Sequence, residues 1–219
     1  MRKLFQDRFE AGRILADDLH KQQLVSPIVL AIPRGGVEVG RALADQLNYP
    51  LDLILCKKVG HPENPEVAIG SVCADGTTIQ TMNPDTADPD YFNHQAAHLK
   101  TWLLGRYQQL TSREHPTDVS GRDVILTDDG MATGSTMMSA IRSIRTAGAN
   151  RVIAAVPVAP PSAYSYISKS ADILICPIVE SDFQGVGQFY VRFQQISDEQ
   201  VKALFQGTYN TLNEPKIYA

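Results

Sequence analysis

Two adjacent carboxylates, Asp128 and Asp129, stand just ahead of a run of small and hydroxyl-bearing residues, Ala132-Thr133-Gly134-Ser135-Thr136. Free amides at a helix start, backed by the helix dipole and by hydroxyl side chains, make a seat for an anion. The carboxylates would repel a bare phosphate. A sugar phosphate satisfies both features, with its phosphate on the loop and its hydroxyls donating to Asp128 and Asp129. Ribose 5-phosphate has that layout, a vicinal diol a few ångströms from the phosphate. The competing reading of the same residues is an Asp-rich turn that caps an ordinary helix.

The surrounding sequence supplies the elements that would hold these groups. Val124-Ile125-Leu126 is a short apolar run that reads as a buried strand. Met137 to Ala147 reads as a helix, with Met137, Ile141 and Ile144 inward, Arg142 and Arg145 outward, and Gly148 as its stop. The carboxylates therefore fall at the carboxyl edge of a strand, where open α/β sheets bind ligands. A second junction of this kind precedes it: a strand from Ile28 to Ile32, the loop Pro33-Arg34-Gly35-Gly36, then a helix from Val37 to Leu47. Glycines let backbone approach an anion closely, although a routine turn between strand and helix also needs them. A third strand, Leu51 to Cys56, ends in Lys57-Lys58. Neighbouring strand residues face opposite ways, so at most one of the two lysines reaches the ligand directly. The alternative is a solvated pair.

The stretch from Val124 to Thr136 closely resembles the motif with which type I phosphoribosyltransferases bind 5-phosphoribosyl 1-pyrophosphate (PRPP): an apolar strand, two acidic residues, a Thr-Gly-rich loop. Pro33 to Gly36 resembles the pyrophosphate loop of that family, in which one peptide is often strained or cis. Phe5-Gln6-Asp7-Arg8, Ala11-Gly12-Arg13 and Asn64-Pro65-Glu66-Val67-Ala68-Ile69-Gly70 are similar to patterns of one group within it, whose acceptor is not assigned by sequence. The resemblance implies one α/β domain over residues 1–219, with a mostly parallel twisted sheet flanked by helices and a small hood at about residues 177–196. It also implies a flexible loop at about residues 59–80, closing over PRPP to exclude water.

The implied activity is transfer of phosphoribosyl between PRPP and a nitrogenous acceptor, a nucleobase or related compound, with release of pyrophosphate. By resemblance, Asp128 and Asp129 are the catalytic carboxylates. Ala132, Thr133, Gly134, Ser135 and Thr136 hold the 5-phosphate. Arg34, Gly35, Gly36 and Lys57 or Lys58 hold pyrophosphate, with Mg2+ arriving on PRPP rather than on a dedicated set of side chains. A regulator that binds PRPP or a nucleotide with little catalysis, and a hydrolase of a phosphoribosyl compound, are the alternatives. Dimers are common in the family, and the sequence leaves the oligomeric state and the acceptor open.

Acceptor recognition points to Ser181 to Tyr190, where aromatics, glycines and amides are mixed. Phe183 or Tyr190 could stack on a ring while Gln184 or Gln188 reads its edge; a core or dimer role is the other reading. Gly185-Val186-Gly187 lacks the third glycine of a dinucleotide fingerprint, and no P-loop signature occurs, so neither NAD nor ATP hydrolysis is indicated.

The rest of the chain narrows the class. At 219 residues, 43% hydrophobic and 20% charged, it suits one soluble α/β domain. A net charge of −4 and a pI near 5.7 argue against nucleic acid as partner. No run is apolar enough to span a membrane, and Met1-Arg2-Lys3 leads into no apolar core, so a cytoplasmic location is expected. Cys56, Cys73 and Cys176 read as buried reduced thiols. His94 and His98 share a helix face without the glutamate of a zinc-protease helix, and read as solvated. Leu4 to Lys21 reads as an amphipathic helix with Arg8, Arg13 and Asp17 off its apolar face. Tyr91 to Ser112 reads as a long helix and Ser197 to Phe205 as a final one. Asn83 to Asp90 reads as a linker, and Thr208 to Ala219 as a weakly ordered tail.

Overall fold

The computed structural model of the chain describes residues 4–81 and 89–207. Five parallel strands form the central sheet: β1 (Ile28–Ala31), β2 (Leu51–Leu53), β6 (Asp123–Thr127), β7 (Arg151–Ala155) and β9 (Ile173–Ile175), in the order β2-β1-β6-β7-β9. Helices cover both faces, which is why β1, β6 and β7 read as unbroken apolar runs. Alternate residues divide the two cores. Val29, Ala31, Ile125, Ile153 and Ala155 pack toward α1 (Arg8–Leu19), α2 (Gly36–Leu47), α3 (Pro89–Thr111) and α6 (Asp198–Phe205). Ile28, Leu30, Val124, Leu126, Val152 and Ala154 pack toward α4 (Ser135–Thr146) and α5 (Pro161–Ser168). The register sets Ala31 opposite Thr127, so the ends of β1 and β6 are level and the loops that follow them lie side by side.

The expected strand from Leu51 to Cys56 is divided. β2 stops at Leu53, and Cys56 opens β3 (Cys56–Gly60), which pairs antiparallel with β4 (Ala68–Cys73) and through it with β5 (Thr78–Gln80). Lys57 and Lys58 thus sit inside a separate three-stranded lobe. Its apolar face, Val59, Ile69 and Val72, is buried in the same core as Phe92, Ala96 and Leu103 of α3. Cys56 and Cys73, expected as reduced thiols, are directly opposed in this ladder with Cα atoms 4.1 Å apart, and are disulfide-bonded. The hairpin turn, not sequence spacing, brings them together. Cys176 is free.

The amino-terminal helix differs from its expectation. α1 begins at Arg8, with the Asp7 side chain accepting from the Glu10 amide as its N-cap. Arg8, expected off the apolar face, is buried, while Phe5 lies outside the helix and bridges to Tyr190. In α3, Trp102 is exposed, whereas Tyr107 is buried and donates to Asp52 Oδ1 at 2.8 Å. Small parallel strands β8 (Val158–Ala159) and β10 (Ile178–Val179) pair just ahead of and at the start of the segment expected as the hood. α6 opens on a capping box made by Ser197 and Gln200. Most of the Asn83 to Asp90 linker and the tail from Thr208 fall outside the described residues. No helix among the described residues is long and apolar enough to cross a membrane.

α1 rests on α2 at Gly12, where a Cβ would lie 2.4 Å from the Val39 carbonyl oxygen and 2.8 Å from the Ala42 Cβ. Backbone cannot yield there as a flexible side chain would, and overpacking of this kind costs about 1–3 kcal/mol. Gly12→Ala should therefore lower the melting temperature by about 2–4 °C for each kcal/mol lost. An unchanged thermal transition would show that α1 is peripheral to the fold.

Candidate active site

The two glycine-bearing junctions predicted from sequence meet. Gly36 opens α2 and its amide donates to the Asp128 carboxylate. A Cβ on Gly36 would lie 2.8 Å from the Asp128 Cα, and one on Gly35 would lie 1.9 Å from Asp129 Oδ2. Only glycine allows the Pro33–Gly36 loop to lie this close against the carboxylates. The Pro33–Arg34 peptide is cis. Arg34 is exposed at the rim, within electrostatic reach of Asp198 on α6.

The acidic pair is followed by the small-residue loop. Gly134 adopts a left-handed backbone, φ 74°, as N-cap of α4, a conformation that only glycine takes freely. Ala132, Thr133 and Thr136 are exposed, Ser135 is partly so, and the Thr133 hydroxyl bonds Ser135 Oγ at 3.0 Å. The loop places exposed hydroxyl-bearing residues at a helix N-terminus, where an anion seat would form, while the Ser135 amide donates to Thr133 Oγ1 at 3.3 Å.

Asp128 and Asp129 occupy an environment that resists charge. Burial and the neighbouring Asp129 charge push the Asp128 carboxyl well above the usual carboxylate range. Burial also raises Asp129, opposed by the Arg8 guanidinium. Arg8 Nε donates to Asp129 Oδ2 at 2.8 Å, and Nη1 donates to Glu38 Oε2 at 3.3 Å and to the Gln194 carbonyl at 2.9 Å. Tyr190 Oη donates to the Asp129 carbonyl at 2.7 Å. Sequence patterning missed this role for Arg8, because a helical-period argument files arginine with the solvent face; the available signal was its place in the Phe5-Gln6-Asp7-Arg8 pattern.

The lysines separate. Lys57 Nζ sits over the Trp102 ring, 4.2 Å from its centroid. Lys58, the next residue along β3, therefore faces away from α3. α4 also packs near β3. Of the two, Lys58 is on the face of β3 turned away from α3.

The hood is stitched to the chain's amino end: the Phe5 amide donates to the Phe189 carbonyl at 2.8 Å, and the Val191 amide to the Phe5 carbonyl at 2.8 Å. Gln188 spends its side chain inside the hood, accepting from the Gln184 amide at 2.9 Å and donating to the Asp182 carbonyl at 2.6 Å. Tyr190 is buried, with its hydroxyl engaged on Asp129. Phe183 is half-buried against Phe189, ring centroids 5.4 Å apart, and Gln184 is exposed. An aromatic not singled out from sequence, Phe193, is exposed, stacks on Tyr190 with centroids 5.2 Å apart, and lies 3.9 Å from the Arg8 guanidinium carbon. Gly187 leaves room for it, since a Cβ there would meet the ring at 2.8 Å.

The phosphoribosyl transferase domain model matches residues 5–194, so the chain belongs to the phosphoribosyl transferase family. Its mostly parallel sheet flanked by helices is the type I form of that family. The crystal structure of TT1426 from Thermus thermophilus superposes with a TM-score of 0.84 at 37% identity, covering 94% of this chain and 99% of that one. A Mycobacterium tuberculosis H37Rv protein provisionally named phosphoribosyl transferase Rv0571c is 33% identical over 217 residues, which is 97% of this chain and 48% of that protein. Ribose-phosphate pyrophosphokinase of Wolinella succinogenes is 28% identical over 75% of this chain and 39% of its own length. The chain thus spans about half the length, or less, of these curated relatives.

The raised Asp128 carboxyl has a consequence for stability. An acid whose folded pKa lies above its unfolded value destabilises the fold increasingly as pH rises from the unfolded toward the folded pKa. Asp128→Asn removes that penalty while its amide oxygen can still accept from the Gly36 and Asp129 amides. It should stabilise the protein by roughly 0.5–2 kcal/mol at neutral pH, a gain typical of relaxing a functional site. The gain should fade as pH falls toward about 4, the unfolded-state value below which the carboxyl is protonated in both states. Denaturant melts at pH 7.5 and 4 would show this; a variant less stable than wild type at pH 7.5 would contradict it.

Proposed function

We propose that the site transfers a phosphoribosyl group between PRPP and a nitrogenous acceptor, a nucleobase or related compound, with pyrophosphate as the other product. The observation that carries this reading is the contact of the Gly35-Gly36 loop with Asp128 and Asp129, beside the exposed Thr133 and Thr136 at the start of α4. One loop can take pyrophosphate, the other the 5-phosphate, and the carboxylates between them the ribose hydroxyls.

In this mechanism the amides and hydroxyls of Ala132 to Thr136 fix the 5-phosphate end. Asp128 and Asp129 accept from the ribose diol and favour the positive charge that grows on the sugar as the bond to pyrophosphate lengthens. Arg34, the amides of Gly35 and Gly36, and Lys58 hold the departing pyrophosphate. Positioning and electrostatics provide the acceleration, with no covalent intermediate on the protein required. Magnesium would arrive carried on PRPP rather than on a dedicated set of side chains. When bound, the ion neutralises charge on the pyrophosphate oxygens. The lobe from β3 to β5 is the segment proposed to close over the ligand and exclude water.

On the acceptor side, Gln184 and Phe193 are exposed and Phe183 is half-buried; Tyr190 and Gln188 shape the hood that carries them. A planar acceptor stacks on an exposed ring more readily than on a buried one.

Two outcomes test the reading. Asp128→Asn/Asp129→Asn should abolish pyrophosphate release from magnesium PRPP across a panel of bases, and undiminished release would sink the assignment. Binding of PRPP by the wild type, without turnover on any acceptor, would favour a regulator instead. Lys58→Ala should raise the KM for PRPP roughly tenfold, the value of one charge-assisted contact. Lys57→Ala should have a smaller effect, and equal effects would show that the lysines do not divide as their packing indicates.

A further inference from the structure

We propose that Arg8 is the positioning residue of the sugar site: it holds Asp129 in place and joins that carboxylate to the acceptor hood. The proposal rests on the phosphoribosyl-transfer reading above.

Arg8 is only 6% exposed. Its contacts come from three different parts of the chain: Asp129 after β6, Glu38 on α2, and the Gln194 carbonyl with the Phe193 ring in the hood. A buried guanidinium is planar and forked, so it can bond several acceptors in fixed directions while stacking on a ring; an ammonium cannot do all of these together. A Cβ on Gly35 would lie 3.2 Å from Arg8 Nε as well as 1.9 Å from Asp129 Oδ2. The proposed pyrophosphate loop therefore closes on the Arg8–Asp129 pair itself. Any shift of Arg8 moves a carboxylate on the sugar, the edge of the pyrophosphate loop and the floor beneath Phe193.

The charges around this point explain why a cation is needed. Asp128 and Asp129 lie after β6, and Glu38 projects from α2. Tyr190 reaches in from the hood, and Asp7 precedes Arg8 on its own helix but is engaged by Arg192. Burial raises the carboxyls of Asp128, Asp129 and Glu38, and Arg8 opposes the rise in each. Removing Arg8 leaves those carboxylates buried together without their cation, a costly arrangement. Asp129 would then hold its proton to higher pH, and its carboxylate would no longer be fixed against the sugar.

The test follows pyrophosphate release from magnesium PRPP against pH in wild type, Arg8→Ala, Arg8→Lys, Glu38→Gln and, as a surface control, Arg192→Ala. Arg8→Ala should lower kcat/KM on the order of 100-fold, the scale of an ångström-sized displacement at a reacting centre. Its acid limb should move upward by roughly one pH unit or more, because an opposite charge is lost beside Asp129. Arg8→Lys should restore part of the limb's position but little of the rate. Glu38→Gln should move the limb downward, and Arg192→Ala should leave it in place. Equal losses in Arg8→Ala and Arg8→Lys with an unmoved limb would overturn the proposal and leave Arg8 a packing residue.

A second readout needs no turnover. The carboxyl 13C titration of Asp129 should shift upward in Arg8→Ala and downward in Glu38→Gln. If wild type neither binds PRPP nor releases pyrophosphate, the phosphoribosyl reading fails by itself. If wild type is active and the Asp129 titration is indifferent to Arg8, only the present proposal fails.

Discussion

Two carboxylates side by side and largely withdrawn from water form an arrangement that a fold must compensate, and much of this structure does so. Asp128 accepts from the amides of Gly36 and Asp129; Asp129 is held by Arg8. The amides are in place because β1 and β6 end level, which sets the start of α2 against the residues after β6. The guanidinium is in place because α1 packs on α2 through Gly12 and lays Arg8 across the junction. The hood is in place because its strand-like edge, Phe189 to Val191, bonds to Phe5 just before α1. An ion pair this deep contributes little net stability, since desolvation offsets the attraction. What it secures is orientation, while burial and the neighbouring Asp129 charge still hold the Asp128 carboxyl above its usual range. Stability given up at a site for function is a common trade.

The parallel sheet and the anion loop follow from local rules. β1, β6 and β7 are apolar because both faces are covered, and α4 starts at Gly134 because its N-cap backbone is left-handed. Such features were legible in sequence within a residue or two, as with the helix read from Met137 to Ala147 and found over Ser135–Thr146. The places of the acidic pair and the Pro33–Gly36 loop at strand ends were equally legible, because each follows an apolar run directly.

What escaped the sequence was decided by residues distant along the chain. Arg8 is polar by type and buried by circumstance; its partner Asp129 is 121 positions away. Cys56 and Cys73 read as separate thiols until the β3–β4 register opposed them. Lys57 and Lys58 could not be distinguished until Trp102 of α3 was found beneath Lys57. In the hood, composition pointed to aromatics and amides, but tertiary hydrogen bonds chose among them. Gln188 and Tyr190 are engaged internally, while Phe193, just beyond the stretch singled out, carries exposed ring surface.

The central claim is that the two junctions and the carboxylates between them bind one molecule of PRPP. A crystal structure with magnesium PRPP tests this most directly. The account predicts the 5-phosphate on the amides of Thr133 to Thr136, the ribose diol on Asp128 and Asp129, and pyrophosphate against Arg34 to Gly36. A ligand whose phosphates avoid both loops, or whose ribose makes no contact with the carboxylates, would contradict it.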